Sequence, residues 1–283
     1  FLATTNRHVL CLTNKVKAYW LQVYEVPQGT RTRRGKPIVD LLKMDEDERI
    51  NAILPVKEFR EDCYVFFATQ EGVVKKTSLS DYSRPRPSGI IAVDLDEGDR
   101  LIGVALTDGK HDVMLFSDEG KAVRFDENDV RPMGRGARGV RGMNIAKGGK
   151  VIALLVAENE SQSVLTATEN GYGKRTPIVE YTRHGRGTKG LIAIQQSAPT
   201  GKVVAATLVR ADDEIILIPA TSVMVPTPLP ATPSPRPAPQ AMTVEPSAAG
   251  HPRGWGPRGG ARCWLETGPG HPARAGCGRA VRQ

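Results

Sequence analysis

A pattern of about fifty residues recurs four times along the first 219 residues of the chain. Each copy has an apolar segment, a short polar turn, a second segment ending in basic residues, a stretch rich in Arg and Gly, and further apolar segments. The turn positions are Val16, Gly72, Gly120 and Gly171. A recurrence of this period indicates a fold built from one repeated supersecondary unit, each copy packed on its neighbours.

The Arg/Gly stretch contains the pattern G-x-G-x-x-G, at 134–139 and again at 185–190. A dinucleotide-binding loop has this spacing because it leaves a strand, approaches a pyrophosphate and opens a helix. The sequence after residue 142 offers no amphipathic helix, and a cofactor loop has no reason to recur 51 residues later. The pattern therefore predicts a repeated corner and no cofactor in this chain.

The apolar segments have the composition of strands. VFFAT, VMLFS and SVLTA are rich in β-branched and aromatic residues, and each ends at a turn signal. The pair Asn170-Gly171 predicts a two-residue hairpin turn with positive φ at both positions. Segments after the corners predict a third strand, at 37–42, 89–95 and 190–196. The next apolar segments predict a fourth strand, at 49–56, 100–106, 150–156 and 202–209.

Four strands per unit at this period are typical of a propeller blade. We predict an all-β, propeller-like domain over residues 1–219. Its four blades would span about 1–60, 61–111, 112–160 and 161–213, with the start of a fifth at 214–219.

Three runs carry a family resemblance: TATENGYGKRTPIVEY (166–181), RRGKPIVDLL (33–42) and VMLFSDEGKAVRF (113–125). Together with the Arg/Gly corners they resemble the C-terminal domain of the DNA gyrase A subunit, over residues 1 to about 218. The resemblance implies a β-pinwheel, a ring whose blades exchange strands. It also implies that the basic rim binds and bends DNA, which supports ATP-dependent negative supercoiling by the whole enzyme.

The chain departs from this family at both ends. The family's signature heptapeptide, glutamine followed by two arginines, two glycines, lysine and glycine, is absent; the nearest approaches are 31–37 and 184–190. Because the chain opens inside an apparent strand, we expect the first blade to precede residue 1. Residues 220–283 hold 12 of the 21 prolines and contain no Lys, Asp, Asn, Ile, Phe or Tyr. We expect this tail to be disordered, as a natural Pro-rich linker or as a frameshifted reading of a G/C-rich gene.

Charge is concentrated locally. The tail contributes seven Arg against two Glu, which leaves 32 basic and 29 acidic residues for positions 1–219. Phosphate binding responds to local potential, and the basic residues gather at the corners, while acidic residues gather at 45–48, 94–99 and 211–214. We expect equivalent corners to fall on one rim, with the acidic residues elsewhere. The candidate DNA-binding residues are Arg31, Arg33, Arg34, Lys36, Arg84, Arg86, Arg131, Arg135, Arg138, Arg141, Lys174, Arg175, Arg183, Arg186 and Lys189.

The strand-end cations, two tyrosines and the cysteines have structural roles in this interpretation. Lys75, Lys76, Lys174 and Arg175 end strands, where charges also protect sheet edges against aggregation, so they are weaker candidates than the corners. Tyr82 and Tyr181 are predicted to pack in the core. Cys11 and Cys63 read as buried thiols. In the tail, Cys263 and Cys277 with His251 and His271 match no tight zinc pattern, so no metal site is expected.

The family resemblance also implies what this chain lacks and which partners it has. The catalytic tyrosine and the ATP site of the family's enzymes lie outside this region, so we expect no catalytic residue here, and ATP and magnesium to serve the whole enzyme. The expected partners are double-stranded DNA, the rest of the gyrase A subunit and, through that subunit, the gyrase B subunit. The expected location is the bacterial cytoplasm, at the nucleoid.

The alternatives are the related domain of topoisomerase IV and a protein-docking propeller. A docking propeller predicts exposed aromatic anchors, yet aromatic residues form only 5% of the chain.

Overall fold

A computed structural model describes residues 7–29, 35, 37–45, 47–84, 86–210 and 213, and the backbone of four short strands further on. The strands up to residue 210 are β1 (His8–Thr13), β2 (Lys17–Gln22), β3 (Ile50–Val56), β4 (Tyr64–Thr69), β5 (Val73–Ser78), β6 (Ile90–Ile91), β7 (Leu101–Thr107), β8 (Asp112–Ser117), β9 (Lys121–Asp126), β10 (Val140–Arg141), β11 (Val151–Ala157), β12 (Ser163–Thr168), β13 (Tyr172–Pro177), β14 (Leu191–Ile192) and β15 (Val203–Val209). Beyond these lie β16 (Ile215–Leu217), β17 (Val225–Thr227), β18 (Gln240–Ala241) and β19 (Leu265–Thr267).

Helical structure in the described part of the chain is limited to single turns. The 3-10 helices are Val23–Glu25, Ile38–Asp40, Leu79–Tyr82, Glu127–Asp129 and Ile178–Glu180. None of these described helices is long and apolar enough to cross a membrane. Apart from β17, β18 and β19, the tail predicted to be disordered lies outside the described residues.

The strands form four antiparallel, four-stranded sheets, in the orders β3-β1-β2-β6, β7-β4-β5-β10, β11-β8-β9-β14 and β15-β12-β13-β18, and a smaller sheet in the order β17-β16-β19. In each of the first three sheets, the strand beside the second hairpin strand comes from a later repeat. Thus β6, which follows the second repeat's hairpin, pairs with β2 of the first. This strand exchange confirms the predicted all-β pinwheel architecture and ties each repeat to its neighbour by backbone hydrogen bonds.

The first strand of each repeat is buried on both faces. Along β4, Val65 and Phe67 belong to the apolar cluster shared with the first sheet, whereas Phe66 and Ala68 belong to the cluster shared with the third. Since successive side chains on a strand point to opposite faces, the continuous apolar run VFFA fills two cores at once. The propeller-like stacking of sheets follows from this, because each sheet must be covered on both faces.

The hairpin turns differ from the prediction for Asn170-Gly171. The N–H of each turn residue, Val16, Gly72, Gly120 or Gly171, donates to the carbonyl three residues earlier at 3.0–3.1 Å. These residues have φ between 58° and 82°, and Val16 is the only non-glycine with positive φ in the described part of the chain. The two-residue turn with Asn170 at positive φ was therefore wrong. The loop is a type I turn followed by one left-handed residue, the form typical of three-residue hairpin loops.

The predicted third strand is mostly irregular. Segment 37–42 contains the 3-10 helix Ile38–Asp40, and only two residues of 89–95 and two of 190–196 pair in a sheet. The chain leaves the ladder because it turns onto the hairpin end of the preceding repeat, where Ala193 N donates to Gly120 O at 2.9 Å. The apolar residues that suggested a longer strand, such as Ala193 and Ile194, are buried there.

Candidate nucleic-acid interface

The Arg/Gly corners of the third and fourth repeats are each held against the sheet of the preceding repeat. In the third repeat, Met133 N donates to Lys76 O at 2.7 Å, and a turn closed by Ala137 N and Gly134 O (3.1 Å) leads into β10. In the fourth repeat, His184 N donates to Arg124 O at 2.9 Å before the chain enters β14. The corners therefore occupy equivalent places on successive sheets.

Neighbouring corners contact one another directly. Arg186 Nη1 donates to Arg141 O at 3.1 Å, and Gly187 N donates to Gly142 O at 2.6 Å. A cavity of about 390 Å³ is lined by Arg84 and Arg86 of the second repeat and by Arg135 of the third. The second, third and fourth corners thus form one surface, which we call the corner track. Its basic residues are Arg84, Arg86, Arg131, Arg135, Arg138, Arg141, Arg183, Arg186 and Lys189.

The corner-track side chains are accessible. All nine are exposed except Arg135, which is half-buried. Arg31, Arg33, Arg34 and Lys36, the candidates in the first repeat, lie outside the described residues. The structure therefore brings together the candidates of three corners.

The glycines of the repeated pattern have two roles. A Cβ at Gly134, Gly136 or Gly185 would meet nothing within 4 Å, so the backbone there is open. At Gly139 a Cβ would lie 2.5 Å from Val74 O, and at Gly190 it would lie 2.5 Å from Ala122 O. The last glycine of each pattern is therefore required by the close approach of the exchanged strand, and only the earlier glycines leave room for a ligand.

Acidic residues do not all lie away from the corners, as the sequence suggested. Arg138 lies 3.3 Å from an Asp94 oxygen and 2.9 Å from an Asp96 oxygen. These groups are more than half exposed, and exposed ion pairs contribute only about 0–1 kcal/mol, so a phosphate can replace the carboxylates. The acidic loop lies beside the track because the Arg138 corner packs next to the preceding repeat.

Arg183 is held more firmly. It lies 2.6 Å from the buried carboxylate of Asp112 and 3.5 Å from Asp126. The hydrogen bond to Asp112 raises the pKa of Arg183. Asp112 also pairs with buried Arg124 at 2.7 Å. The Arg183 side chain therefore belongs partly to a structural ion-pair network.

Two lysines interpreted as edge protection are buried instead. Lys75 and Lys76 are each 1% exposed. The Lys75 ammonium donates to the carbonyls of Ala92 (3.0 Å) and Arg135, and burial, with a smaller effect of the Arg135 charge, lowers the pKa of Lys75 to about 8. Lys75 thus joins the track's backbone to the core, which a sequence pattern of two strand-end lysines does not reveal.

Lys174 and Arg175 lie within β13 and are half-buried. They pair across the sheet with Thr166 and Leu165. These two residues therefore lie in the interior of a strand, whereas the other described candidate DNA-binding residues lie at the corners. The Arg175 Nε atom is buried and has no hydrogen-bond partner among the described residues.

The sequence interpretation missed a recurring interblade contact. The fourth residue after each turn residue donates to the 3-10 helix that precedes the next repeat's corner, or to the residue after it, in three cases: Trp20 Nε1 to Tyr82 O (2.7 Å), Lys76 to Glu127 (3.0 Å), and Arg124 to the carbonyls of Ile178 and Tyr181. Arg175 occupies this position in the fourth repeat. Arg175 lies four residues after the turn glycine Gly171, as Trp20, Lys76 and Arg124 do after their turn residues. This spacing in the sequence distinguishes Arg175 from the corner residues.

The two tyrosines and Cys11 lie in the core, as predicted. Tyr82 is 0% and Tyr181 4% exposed, and burial raises the pKa of Tyr181 to about 12. Cys11 is buried, which raises the pKa of its thiol to about 12, whereas Cys63 is only half-buried.

Asp108, His111 and Glu127 form a group with metal-ligand chemistry. One potential ligand atom of each lies within 4.8 Å of the others. Lys76 Nζ, however, lies 3.0 Å from buried Glu127. A lysine cation thus already balances this carboxylate, and the geometry is that of an ion-pair network.

The repeats correspond to a known sequence family. Residues 7–57, 64–108, 111–158 and 162–210 match the family described as DNA gyrase C-terminal domain, beta-propeller. The chain belongs to this family. It is 51% identical over 217 residues to the DNA gyrase A subunit of Klebsiella oxytoca and 48% identical over 226 residues to that of Escherichia coli strain K12. These alignments cover 77% and 80% of the chain, but only 25% and 26% of the relatives.

Solved structures of the family share the fold. The C-terminal domain of DNA topoisomerase IV superposes with a TM-score of 0.72 at 28% identity, covering 78% of this chain and 69% of the other. A DNA gyrase A C-terminal domain superposes with a TM-score of 0.67 at 26% identity, covering 79% and 73%. The gyrase C-terminal family therefore includes both the sequence and the architecture of this chain.

Proposed function

We propose that the corner track binds double-stranded DNA and bends it, so that the chain acts as the DNA-wrapping module of a gyrase A subunit. The observation that carries this proposal is that successive corners adjoin: Arg186 donates to the Arg141 carbonyl, and Arg84, Arg86 and Arg135 line one cavity. A duplex that follows three adjoining basic corners on successive sheets must curve with them.

The binding would be largely independent of sequence. Arginine and lysine contacts to phosphates fix position without reading bases, and the described residues include no helix longer than four residues that could enter the major groove. Bending 20–30 base pairs by 40–90° costs on the order of 1–6 kcal/mol. Several corners must act together to offset it; neutralising about eight phosphates would give a log-log salt slope of roughly −7.

The larger assembly is part of the same proposal. The chain spans about a quarter of the length of its gyrase relatives. We propose that it works with the rest of a gyrase A subunit, together with the gyrase B subunit, in the bacterial cytoplasm, at the nucleoid. The catalytic tyrosine, and the ATP and magnesium used for supercoiling, would belong to those other parts, and this chain would hold no cofactor or metal.

The topoisomerase IV domain is the second candidate, favoured by its TM-score of 0.72; it would bind DNA with weaker bending. A protein-docking propeller has less support. Among the large exposed apolar side chains of the described residues, Tyr24 is the only aromatic.

Binding and bending are tested together with the full chain and a duplex of about 100 base pairs, shorter than the persistence length of about 150 base pairs. Dyes on the duplex ends report bending by energy transfer, and a salt series reports phosphate contacts. A steep salt slope with the ends drawn together supports wrapping. Binding with a steep salt slope but little bending favours the topoisomerase IV alternative. Weak binding at low salt, with an affinity that hardly depends on salt, overturns the proposal.

A matched pair of variants locates the surface. Arg84→Glu/Arg138→Glu/Lys189→Glu reverses one exposed charge in each of the three corners. Lys57→Glu/Lys110→Glu/Lys147→Glu makes the same change in net charge at exposed positions outside the corners. We expect the first variant to flatten the salt slope by about three units and to abolish bending. Equal losses in both variants would show that net charge alone, without the corner track, accounts for binding.

A further inference from the structure

The exchanged strands carry an aliphatic side chain beside a cation. In β6, Ile91 pairs with Lys17; in β14, Ile192 pairs with Lys121; in β10 the order is reversed, and Arg141 pairs with Val73. Each of the three register positions thus combines one branched aliphatic residue with one cation. Directly opposed residues of antiparallel strands lie about 4.5–5.5 Å apart, so the two side chains present one surface.

The two isoleucines are unusually exposed. Ile192 is 69% and Ile91 64% exposed, the largest values among the large apolar side chains of the described residues. Strand preference does not require isoleucine at such a position, because threonine also favours strands. Burying an isoleucine is favourable, and in the free chain this contribution is not realised at either site.

Both isoleucines follow the basic residues of the corner track along the chain, in the exchanged strands β6 and β14. Ile91 follows Arg84 and Arg86, and Ile192 follows Arg186 and Lys189 in the next corner but one. The corner between them presents Arg141 at the equivalent position, and its carbonyl accepts a hydrogen bond from Arg186. The sequence of side chains along the track is therefore aliphatic, cationic, aliphatic.

We infer that Ile91 and Ile192 insert into the minor groove of the bound duplex as apolar wedges that open base steps and set the bend, while Arg141 occupies the groove between them. This inference rests on the proposed DNA binding. Proteins that bend DNA from the minor groove use apolar wedges, isoleucine among them, to unstack base steps, and insert arginine where the groove narrows. The cations opposite the isoleucines pair with carboxylates in the free chain, Lys17 with Asp45 at 3.0 Å and Lys121 with Glu119 at 3.7 Å, and in the complex they would exchange these carboxylates for flanking phosphates.

The wedges give the module a preference for flexible sites. Pyrimidine–purine steps such as TA unstack most readily. A duplex with TA steps at the two wedge positions should therefore be bent more strongly than one with stiff A-tracts there. Phosphate contacts alone do not produce this difference.

The test compares Ile91→Ser/Ile192→Ser with Val179→Ser, which removes a 58% exposed aliphatic side chain outside the exchanged strands. End-to-end energy transfer measures the bend, 2-aminopurine at the TA step measures unstacking, and a salt series measures phosphate contacts. We expect the double variant to lose the 2-aminopurine signal, most of the bend and about tenfold in affinity per isoleucine, with an unchanged salt slope. Val179→Ser and the conservative Ile91→Met/Ile192→Met should retain all three properties.

Two results would overturn the wedge inference without touching the proposed function: wild-type-like bending by the serine variant, or equal losses in Val179→Ser. Sedimentation provides a further check. If the wild type self-associates and the serine variant is monomeric, the isoleucines contact a second copy of this chain, and the inference is wrong. Failure of the wild type to bind DNA with a steep salt slope would instead reject the proposed function itself.

Discussion

Lys76 and Glu127 form a buried ion pair that joins the second sheet to the third. The Lys76 Nζ lies 3.0 Å from a Glu127 oxygen, and the two side chains are 2% and 0% exposed. The same ammonium lies 4.3 Å from the centroid of the Tyr64 ring. Trp20 and Arg124 make the equivalent connection in neighbouring repeats, so contact from this position to the 3-10 helix of the next repeat is a repeated feature of the fold.

Removing one partner of the pair should be costly, because the other charge stays buried and unpaired. We expect Lys76→Met to lower the free energy of unfolding by about 3–5 kcal/mol, measured by urea denaturation at pH 7. The double variant Lys76→Met/Glu127→Leu should recover most of the loss, and Lys57→Met at the surface should change little. A double variant as unstable as the sum of its single variants would contradict this account.

The same carboxylate should make stability depend on pH. Burial by itself would raise the pKa of Glu127, but hydrogen bonds from His111, Thr107 and Lys76 outweigh it and lower the pKa to about 2, from an ordinary 4.5. A lowered folded-state pKa contributes stability above the unfolded-state value, and that contribution, about 3 kcal/mol, is lost as pH falls from 4.5 towards 2. Urea denaturation should show a shallower decline over this range for Glu127→Gln than for the wild type. Parallel declines would assign acid unfolding to other groups.

The two kinds of corner glycine should respond differently to substitution. Gly139 has a φ of 106° and a Cβ there would lie 2.5 Å from Val74 O, so we expect Gly139→Ala to cost about 2 kcal/mol or more. Gly134 lies five residues earlier in the same corner, in open space, and Gly134→Ala should change the free energy of unfolding by less than about 0.5 kcal/mol. Thermal denaturation of the two variants gives the comparison. Equal changes in stability for the two variants would mean that the close approach of Gly139 to the Val74 carbonyl is not needed for pairing of the exchanged strand.

Position within a repeat should decide which arginines contact DNA. Arg86 is exposed on the corner track, whereas Arg175 lies half-buried within β13. We expect Arg86→Gln to reduce the salt slope of DNA binding by about 0.9 and Arg175→Gln to leave it unchanged while lowering thermal stability. A reduced salt slope for Arg175→Gln would show that Arg175 contacts DNA and would contradict this prediction.

The sequence by itself determined the repeat, its hairpin and the strand that closes each unit. The apolar runs of β4 and β8 are continuous because each strand is covered on both faces, and this burial pattern is visible in the sequence. The left-handed turn position also shows in the sequence as Gly72, Gly120 and Gly171, since few other residues adopt positive φ. The clustering of arginine and glycine at corners follows the same period and so could be found without coordinates.

Only the tertiary structure decided which groups meet between repeats. Exchange of β6, β10 and β14 depends on a contact between segments about 70 residues apart, which no local pattern encodes. That contact buries Lys75 and Lys76, which look like surface charges in the sequence, and leaves Ile91 and Ile192, which look like core residues, in solvent. It also brings Arg138 beside Asp94 and Asp96. Side-chain burial and charge pairing depend on which repeat packs on which, and that is a property of the folded chain.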